Sequence, residues 1–370
     1  MPVVFYLMNG GYLIMFNFLK KINSTALIGL DCGSRSVKAV GLSKYKGEIY
    51  IDGVVELPLN KGVIVDNNIQ NSEQLTSVIK QIIEKFPPFY KKAAIAVTGT
   101  DVITKVINVS AALSDRELKD QIEIESENII PFPLNEVFWD FEVTRSNLDN
   151  LESNNVLVSA ARKDNVLLLI ESVEAAGVDV TVVDIENHAL IRACQKNLAA
   201  SDDQHGIAVL DIGASHMNFN ILCQREIIFS RVKAHGGDVC SQLFSERYNI
   251  DFFEAEKRKV SGDWPLNCVL DVIDPFIKMT LEQLQLDLRM FVNEPNHVDV
   301  TKVILTGGCL LLPNLRQEIA KSLDIDTEFC GAFSDFKCRR NEDFLLLGKD
   351  SVKYVMALGL AMRGGINEHY

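Results

Sequence analysis

The chain has 370 residues, room for two ordinary domains, and its 47% hydrophobic and 24% charged residues are the balance of a folded, water-soluble protein. A formal net charge of −13 removes any general attraction to DNA or RNA, while leaving cationic metals and basic peptide segments as partners. The eight cysteines (Cys32, Cys194, Cys223, Cys240, Cys268, Cys309, Cys330 and Cys338) include no Cys-x-x-Cys pair and no histidine cluster, so they read as reduced thiols of a cytoplasmic protein and not as a disulfide or zinc framework.

Residues 1–24 precede the first strand. Their apolar run is broken at Asn9, Gly10, Gly11 and Asn17, short of the roughly 18 apolar residues a membrane span needs. No positive region precedes it, which makes a poor signal peptide. Met15 is the more sensible start, with residues 1–14 expected to be disordered; the alternative is a weak membrane-surface anchor at Phe16, Phe18, Leu19, Lys20 and Lys21.

A first lobe is expected over residues 25–205. Ala26–Leu42 reads as a hairpin: an apolar strand, the turn Asp31-Cys-Gly33, small polar residues, then a second strand. A strand follows at Glu48–Leu57, then a helix at Ser72–Lys85 that Phe86-Pro87-Pro88 stops. Strands are expected at Ala93–Val97, ending in Thr98-Gly99, and at Val102–Val109. Ser114-Asp-Arg-Glu117 is a capping box, and Leu118, Ile122, Glu125 and Ile129 continue at helical spacing to Pro131-Phe132-Pro133. Val137–Val143 alternates as a strand, Asn147–Asn155 is a polar turn, and Val156–Ala160 is a strand. A helix at Asp164–Ala176, a strand at Val180–Asp184 and a helix at Glu186–Leu198 complete the lobe. Residues 110–182 read as a compact module inserted in it.

The second lobe, 206–370, opens with Ile207–Leu222, which repeats the hairpin with Asp211-Ile-Gly213 at its turn. A strand from Phe229 leads to Gly236-Gly237 and a helix at Val239–Tyr248, followed by a helix at Phe252–Lys259. Leu266–Phe291 carries one apolar stripe and reads as one long helix, kinked or split at Pro275; residues 236–298 form a helical subdomain. Lys302–Leu305 is a strand ending in Thr306-Gly307-Gly308, Leu315–Leu323 a helix, Asp335–Phe344 a polar loop and Ser351–Met362 a final helix. Two alike segments half a chain apart predict an α/β protein of two lobes of related architecture.

The two Asp-x-Gly turns carry the chemistry. A glycine at a hairpin tip lets backbone amides approach an anion closely, because it lacks a Cβ and accepts positive φ. Ser34, Ser36 and Ser215 add hydroxyls, and Lys38 can neutralise phosphate charge. Asp31 and Asp211, at strand ends, are placed to hold Mg2+ through waters. One Asp-x-Gly is ordinary turn chemistry; two copies, each flanked by strands, predict a pair of turns that clamp a polyphosphate from both sides.

Together with Thr306-Gly307-Gly308, this pattern resembles the actin-like ATPase superfamily. The resemblance implies a two-lobed fold that binds ATP with Mg2+. Asp31, Gly33, Ser34, Arg35, Ser36 and Lys38 would form the first phosphate turn, and Asp211, Gly213, Ala214 and Ser215 the second. Gly236 and Gly237 join the cofactor set, Gly307 and Gly308 would touch adenosine, and Glu256 and Lys259 match a Glu-x-x-Lys that contacts the nucleoside.

A closer resemblance, covering nearly everything from Met15 on, is to the type IV pilus assembly proteins of the PilM family. It rests on Gly29–Lys38, Leu113–Leu118, Ile129–Val137, Val183–Glu186 and Leu210–Ala214, with Ile130-Pro131-Phe132-Pro133-Leu134 the most specific stretch. It implies that the insert is the subdomain called 1C, shared in location with the division protein FtsA. It implies a scaffold under the inner membrane that binds the cytoplasmic N-terminal peptide of PilN, contacts pilus motor proteins, and meets the membrane only through partners. A groove between the insert and the lobe body, with Val102–Val109 as a candidate wall, would receive the peptide.

Glu186 resembles the catalytic acid of the superfamily, but Asn187 and His188 follow it where FtsA has proline, and His216 stands in the second turn where Thr is usual. Slow hydrolysis, or binding alone, is the expectation. The competing readings are a small-molecule kinase of the same superfamily, which the insert disfavours, and an FtsA-like division filament, which the polar tail ending at Tyr370 disfavours.

Overall fold

The structure is a computed structural model that describes residues 26–97, 102–113, 115–146, 153–198, 205–224, 226–294 and 297–364. The N-terminal extension, Thr98-Gly99, the Ser114 cap, most of the Asn147–Asn155 turn and the end of the C-terminal tail lie outside the described residues. The chain divides into two compact units. One holds the described residues up to Leu190, Lys337–Arg340 and the segment from Met356; the other holds Ile191–Phe336 and Asn341–Val355.

The first unit contains β1 (Ala26–Cys32), β2 (Ser36–Tyr45), β3 (Glu48–Pro58), α1 (Ser72–Ile83), β4 (Lys92–Val97), β5 (Val102–Ser110), α2 (Asp115–Ile129), β6 (Val137–Ser146), β7 (Ser153–Arg162), α3 (Lys163–Glu174), β8 (Asp179–Ile185) and the start of α4 (Glu186–Ala193). The Asn71 side chain caps α1 by accepting from the Gln74 amide at 2.9 Å. Leu27, Ile28 and Leu30 are all buried, so β1 is covered on both faces, as a central strand should be. Phe86 closes one face of the sheet. Its ring lies over Gly41 and Gly53, which stand opposite each other, and a Cβ there would come within 2.7 and 2.8 Å of the ring.

The insert is a separate antiparallel sheet, in the order β5-β7-β6, with its own core of Val109, Ile122, Ile130, Val137, Val156 and Val158. It runs from Val102 to Arg162, not over 110–182 as expected. The apolar strand β8 needs both faces covered and obtains this beside β4 in the main sheet, where α3 also packs.

The second unit contains β9 (Gly206–Ile212), β10 (Met217–Cys223), β11 (Glu226–Lys233), α5 (Gly237–Tyr248), α6 (Phe252–Ser261), α7 (Asp274–Val292), β12 (Val300–Thr306), α8 (Leu315–Leu323) and β13 (Asp326–Phe329). The long helix expected from Leu266, kinked or split at Pro275, has helical backbone from Cys268 on, with a π-helical turn at Val269–Ile273 leading directly into α7. Pro275 falls at the junction of the π-helical turn and α7, where the helical bonding changes register.

Residues 335–344 are not one loop. β14 (Lys337–Cys338) pairs parallel with β3, and α9 (Asn341–Asp350) follows. The last helix begins as a 3-10 turn at Ser351–Lys353 before α10 (Val355–Ala361). In the first unit α10 lies hard against β1 and α4: a Cβ on Gly29 would sit 2.0 Å from the Ala357 carbonyl oxygen, and one on Gly359 1.9 Å from that of Ala189. The division between the two units falls inside α4, after Leu190. The helix expected over Glu186–Leu198 is also interrupted after Ala193, with a short turn at Gln195–Leu198.

The duplication seen in the sequence extends through both sheets. The order β3-β2-β1-β4-β8 (with β14 added at the edge) runs antiparallel, antiparallel, parallel, parallel; β11-β10-β9-β12-β13 repeats it. Even the bulges correspond. They fall between Gly41 and Leu42 and between Ile221 and Leu222, equally far from Asp31 and Asp211.

Candidate functional site

Each Asp-x-Gly turn lies at the carboxyl end of a strand whose neighbours on one side run parallel to it, the end at which α/β sheets bind ligands. The same edge of the first sheet carries the end of β8, so Asp31 and Glu186 share it. Glu186 is half-buried at the first position of α4. The preceding Asp184 is fully buried, accepting from the Ile185 amide at 2.9 Å, with Arg363 3.6 Å away.

The first turn closes through the Gly33 amide, which donates to the Ser36 carbonyl at 3.1 Å; the Leu59 amide braces it by donating to the Arg35 carbonyl at 2.8 Å. Ser36 Oγ donates to Glu56 Oε1 at 2.8 Å, which commits that hydroxyl to β3. Lys38 stands opposite Asp31 in register, with Nζ 3.4 Å from Oδ2. Burial pushes the Cys32 thiol up to about 12, and the Asp31 charge adds to the shift while Lys38 opposes it. Ser34 and Arg35 complete the turn, half-buried.

The second turn has the same closure: the Gly213 amide donates to the His216 carbonyl at 2.9 Å. In both turns a Cβ on the glycine would sit 3.3 Å from the closing carbonyl oxygen. Neither glycine has positive φ, so tight space, not backbone freedom, favours glycine at these tips. Ser215 Oγ and His216 Nδ1 are 2.8 Å apart.

Behind the second turn the predicted residues converge. The Gly237 and Asp238 amides, at the start of α5, donate to the Gly213 and Ala214 carbonyls at 3.0 and 2.7 Å. A Cβ on Gly236 would meet the Ala214 oxygen at 2.6 Å, so this approach requires glycine. Gly307, at φ +102°, lies on the backbone of Ile212, with its would-be Cβ 2.4 Å from that carbonyl; Gly308 has only an ordinary contact, 3.7 Å, to Lys353. Lys259 Nζ donates to Gly237 O at 2.9 Å, Ser241 Oγ at 2.8 Å and Glu256 Oε2 at 2.7 Å. Gly213, Ala214, Gly236, Gly237, Glu256, Lys259 and Gly307 are therefore one packed cluster.

Three residues of this cluster were not singled out from the sequence. Cys309 Sγ donates to Gly213 O at 3.0 Å, and burial, raising its thiol to about 12, keeps it a neutral donor. Ser241 bonds Glu256 and Lys259. Asn218 stands opposite Asp211 as Lys38 stands opposite Asp31; it is 5% exposed and its Oδ1 has no hydrogen-bond partner among the described residues. The equal spacing of Lys38 and Asn218 from their aspartates was the available signal.

Among the described residues no group of three or more His, Cys, Asp and Glu side chains is gathered as a metal cage. Single carboxylates at Asp31 and Asp211 fit magnesium, which keeps much of its water shell.

A family model described as type IV pilus assembly protein PilM matches residues 29–365. The cell division protein FtsA of Streptococcus pneumoniae serotype 2 (strain D39) is 24% identical over 343 residues, covering 79% of this chain and 73% of that protein. Among solved structures, the PilM-PilN type IV pilus biogenesis complex matches with a TM-score of 0.80 at 23% identity, over 92% of this chain and 98% of that one. The ethanolamine utilization protein EutJ from Carboxydothermus hydrogenoformans matches with a TM-score of 0.54 at 14% identity, over 92% of this chain and 90% of its own.

Proposed function

The chain belongs to the type IV pilus assembly protein PilM family and has the actin-like ATPase fold, and from that premise we propose that it is an ATP-binding scaffold that holds the cytoplasmic N-terminal peptide of PilN. The observation that carries the reading is the likeness to the PilM-PilN complex over 98% of that chain. Among the described residues no helix is long and apolar enough to cross a membrane, which fits a peripheral scaffold at the inner face of the inner membrane. A net charge of −13 favours a basic membrane-proximal peptide. In this reading the motor proteins of the pilus are further partners.

Nucleotide is the regulatory ligand. The Gly33 and Gly213 turns are the phosphate grips, and Lys38 offers the first of them a cation. Asp31 and Asp211 each offer one carboxylate to hydrated Mg2+, whose charge would neutralise the phosphates. Gly307 brings β12 close behind the second turn, where Glu256 and Lys259 pack beside Gly237. Glu186 is the candidate for orienting water, and because Asn187 and His188 after it and His216 in the second turn depart from the superfamily pattern, turnover is slow at most.

Titrating the full chain with a PilN N-terminal peptide, with and without Mg-ATP, tests the scaffold reading. Saturable binding in at least one condition supports it; no binding in either sinks it.

A further inference from the structure

Lys259 has three ammonium hydrogens and three acceptors: Gly237 O, Ser241 Oγ and Glu256 Oε2, at 2.9, 2.8 and 2.7 Å. Its side chain is nearly buried, and a Cβ on Gly237 would come within 3.0 Å of Nζ. The ammonium is thus committed to the protein, and one of its three acceptors is the backbone at the start of α5. That same peptide segment holds the second turn, because the Gly237 amide donates to Gly213 O and the Asp238 amide to Ala214 O. A continuous run of hydrogen bonds leads from Glu256 on α6, through Lys259 and Gly237, to the carbonyls of the phosphate turn.

We propose that Lys259 is a positioning residue for the phosphate turn at Gly213, acting through Gly237, and that it acts on the triphosphate more than on the nucleoside. The inference rests on the nucleotide reading of that turn. A cation on the Gly237 carbonyl also polarises its peptide and fixes the first amides of α5, the two donors that hold the turn carbonyls in place. Loss of the ammonium loosens the turn even with no ligand present. A residue that touched only the nucleoside would leave the empty turn unchanged and would weaken adenosine and ATP alike.

The test compares the full chain with a Lys259→Met/Glu256→Gln double variant, in which no carboxylate is left without its cation. Hydrogen exchange is read in the ligand-free proteins by mass spectrometry on the peptide containing Gly237 and Asp238, and Mg-ATP and adenosine affinities are measured by titration. The expected result is faster exchange of those amides, about tenfold weaker Mg-ATP, the scale of one lost charge-assisted hydrogen bond, and an adenosine affinity within about threefold of wild type. Lys259→Arg keeps the charge but replaces three convergent donors with a planar fork, so its effects should be smaller and in the same direction; it also serves if the double variant does not fold. Unchanged exchange, or equal losses for adenosine and Mg-ATP, would overturn the inference. A wild-type chain that binds neither ligand removes the nucleotide reading instead, while the exchange measurement still decides whether Lys259 orders the turn.

Discussion

At the scale of single residues, the second turn is defined by what cannot be added to it. Gly236→Ala drives a methyl group into the Ala214 carbonyl and should destabilise the chain by about 1–3 kcal/mol in urea unfolding, whereas Gly308→Ala, with open contact at 3.7 Å, should cost little. Asn218 makes the complementary case. A buried acceptor without a partner costs on the order of 1–3 kcal/mol, a cost that a binding site can justify and a core cannot. Asn218→Leu should therefore leave stability equal or higher while weakening Mg-ATP; an unchanged affinity would make Asn218 a packing residue. The aspartates and glycines of both turns were legible because Asp-x-Gly after an apolar strand is a local signal. Asn218, Ser241 and Cys309 were not, because their roles come from cross-strand register and from a helix packed behind the turn.

At the scale of elements, α7 is held under β11 by a buried ion pair. Asp287 is fully buried, with Lys233 Nζ at 2.9 Å and Arg231 at 3.9 Å. Lys233→Met leaves that carboxylate without its nearest cation and should cost about 3 kcal/mol or more. Beside it His235 stacks on Phe276 and bonds Thr280 Oγ1 at 2.8 Å. Burial first, and repulsion from Lys233 second, hold its pKa below the ordinary value. With the unfolded value near 6.5, the unfolded chain takes the proton first, so this group adds nothing above that pH and removes stability as pH falls below about 6.5. His235→Gln should shrink the acid-side loss of melting temperature; an equal loss would show that His235 plays no part. Elements with strong periodicity or caps, such as α1 and α2, were readable from the sequence. β14 was not, since a two-residue edge strand has no pattern of its own, and the end of the insert was not, because an apolar strand such as β8 does not encode its neighbours.

For the whole molecule, the duplicated strand order gives each unit the same hairpin, the same bulge and the same turn closure. Two related lobes could be inferred because Asp-x-Gly recurs with strands on both sides. The packing of α10 on β1 and α4 could not, because Gly29 and Gly359 make a contact between segments far apart in the sequence. The family model spans residues 29–365 and so includes the inserted sheet, and the match to FtsA places a division protein among the relatives.

An ATP-binding scaffold of this kind needs its Asp-x-Gly turns as phosphate grips. Mg-ATP affinity measured side by side for the full chain, Asp31→Ala and Asp211→Ala tests this most directly. Each substitution alone should weaken binding by about tenfold or more, the scale of one lost charge-assisted contact. Wild-type affinity in either variant would contradict this, and wild-type affinity in Asp211→Ala would show that the second turn is not a phosphate turn.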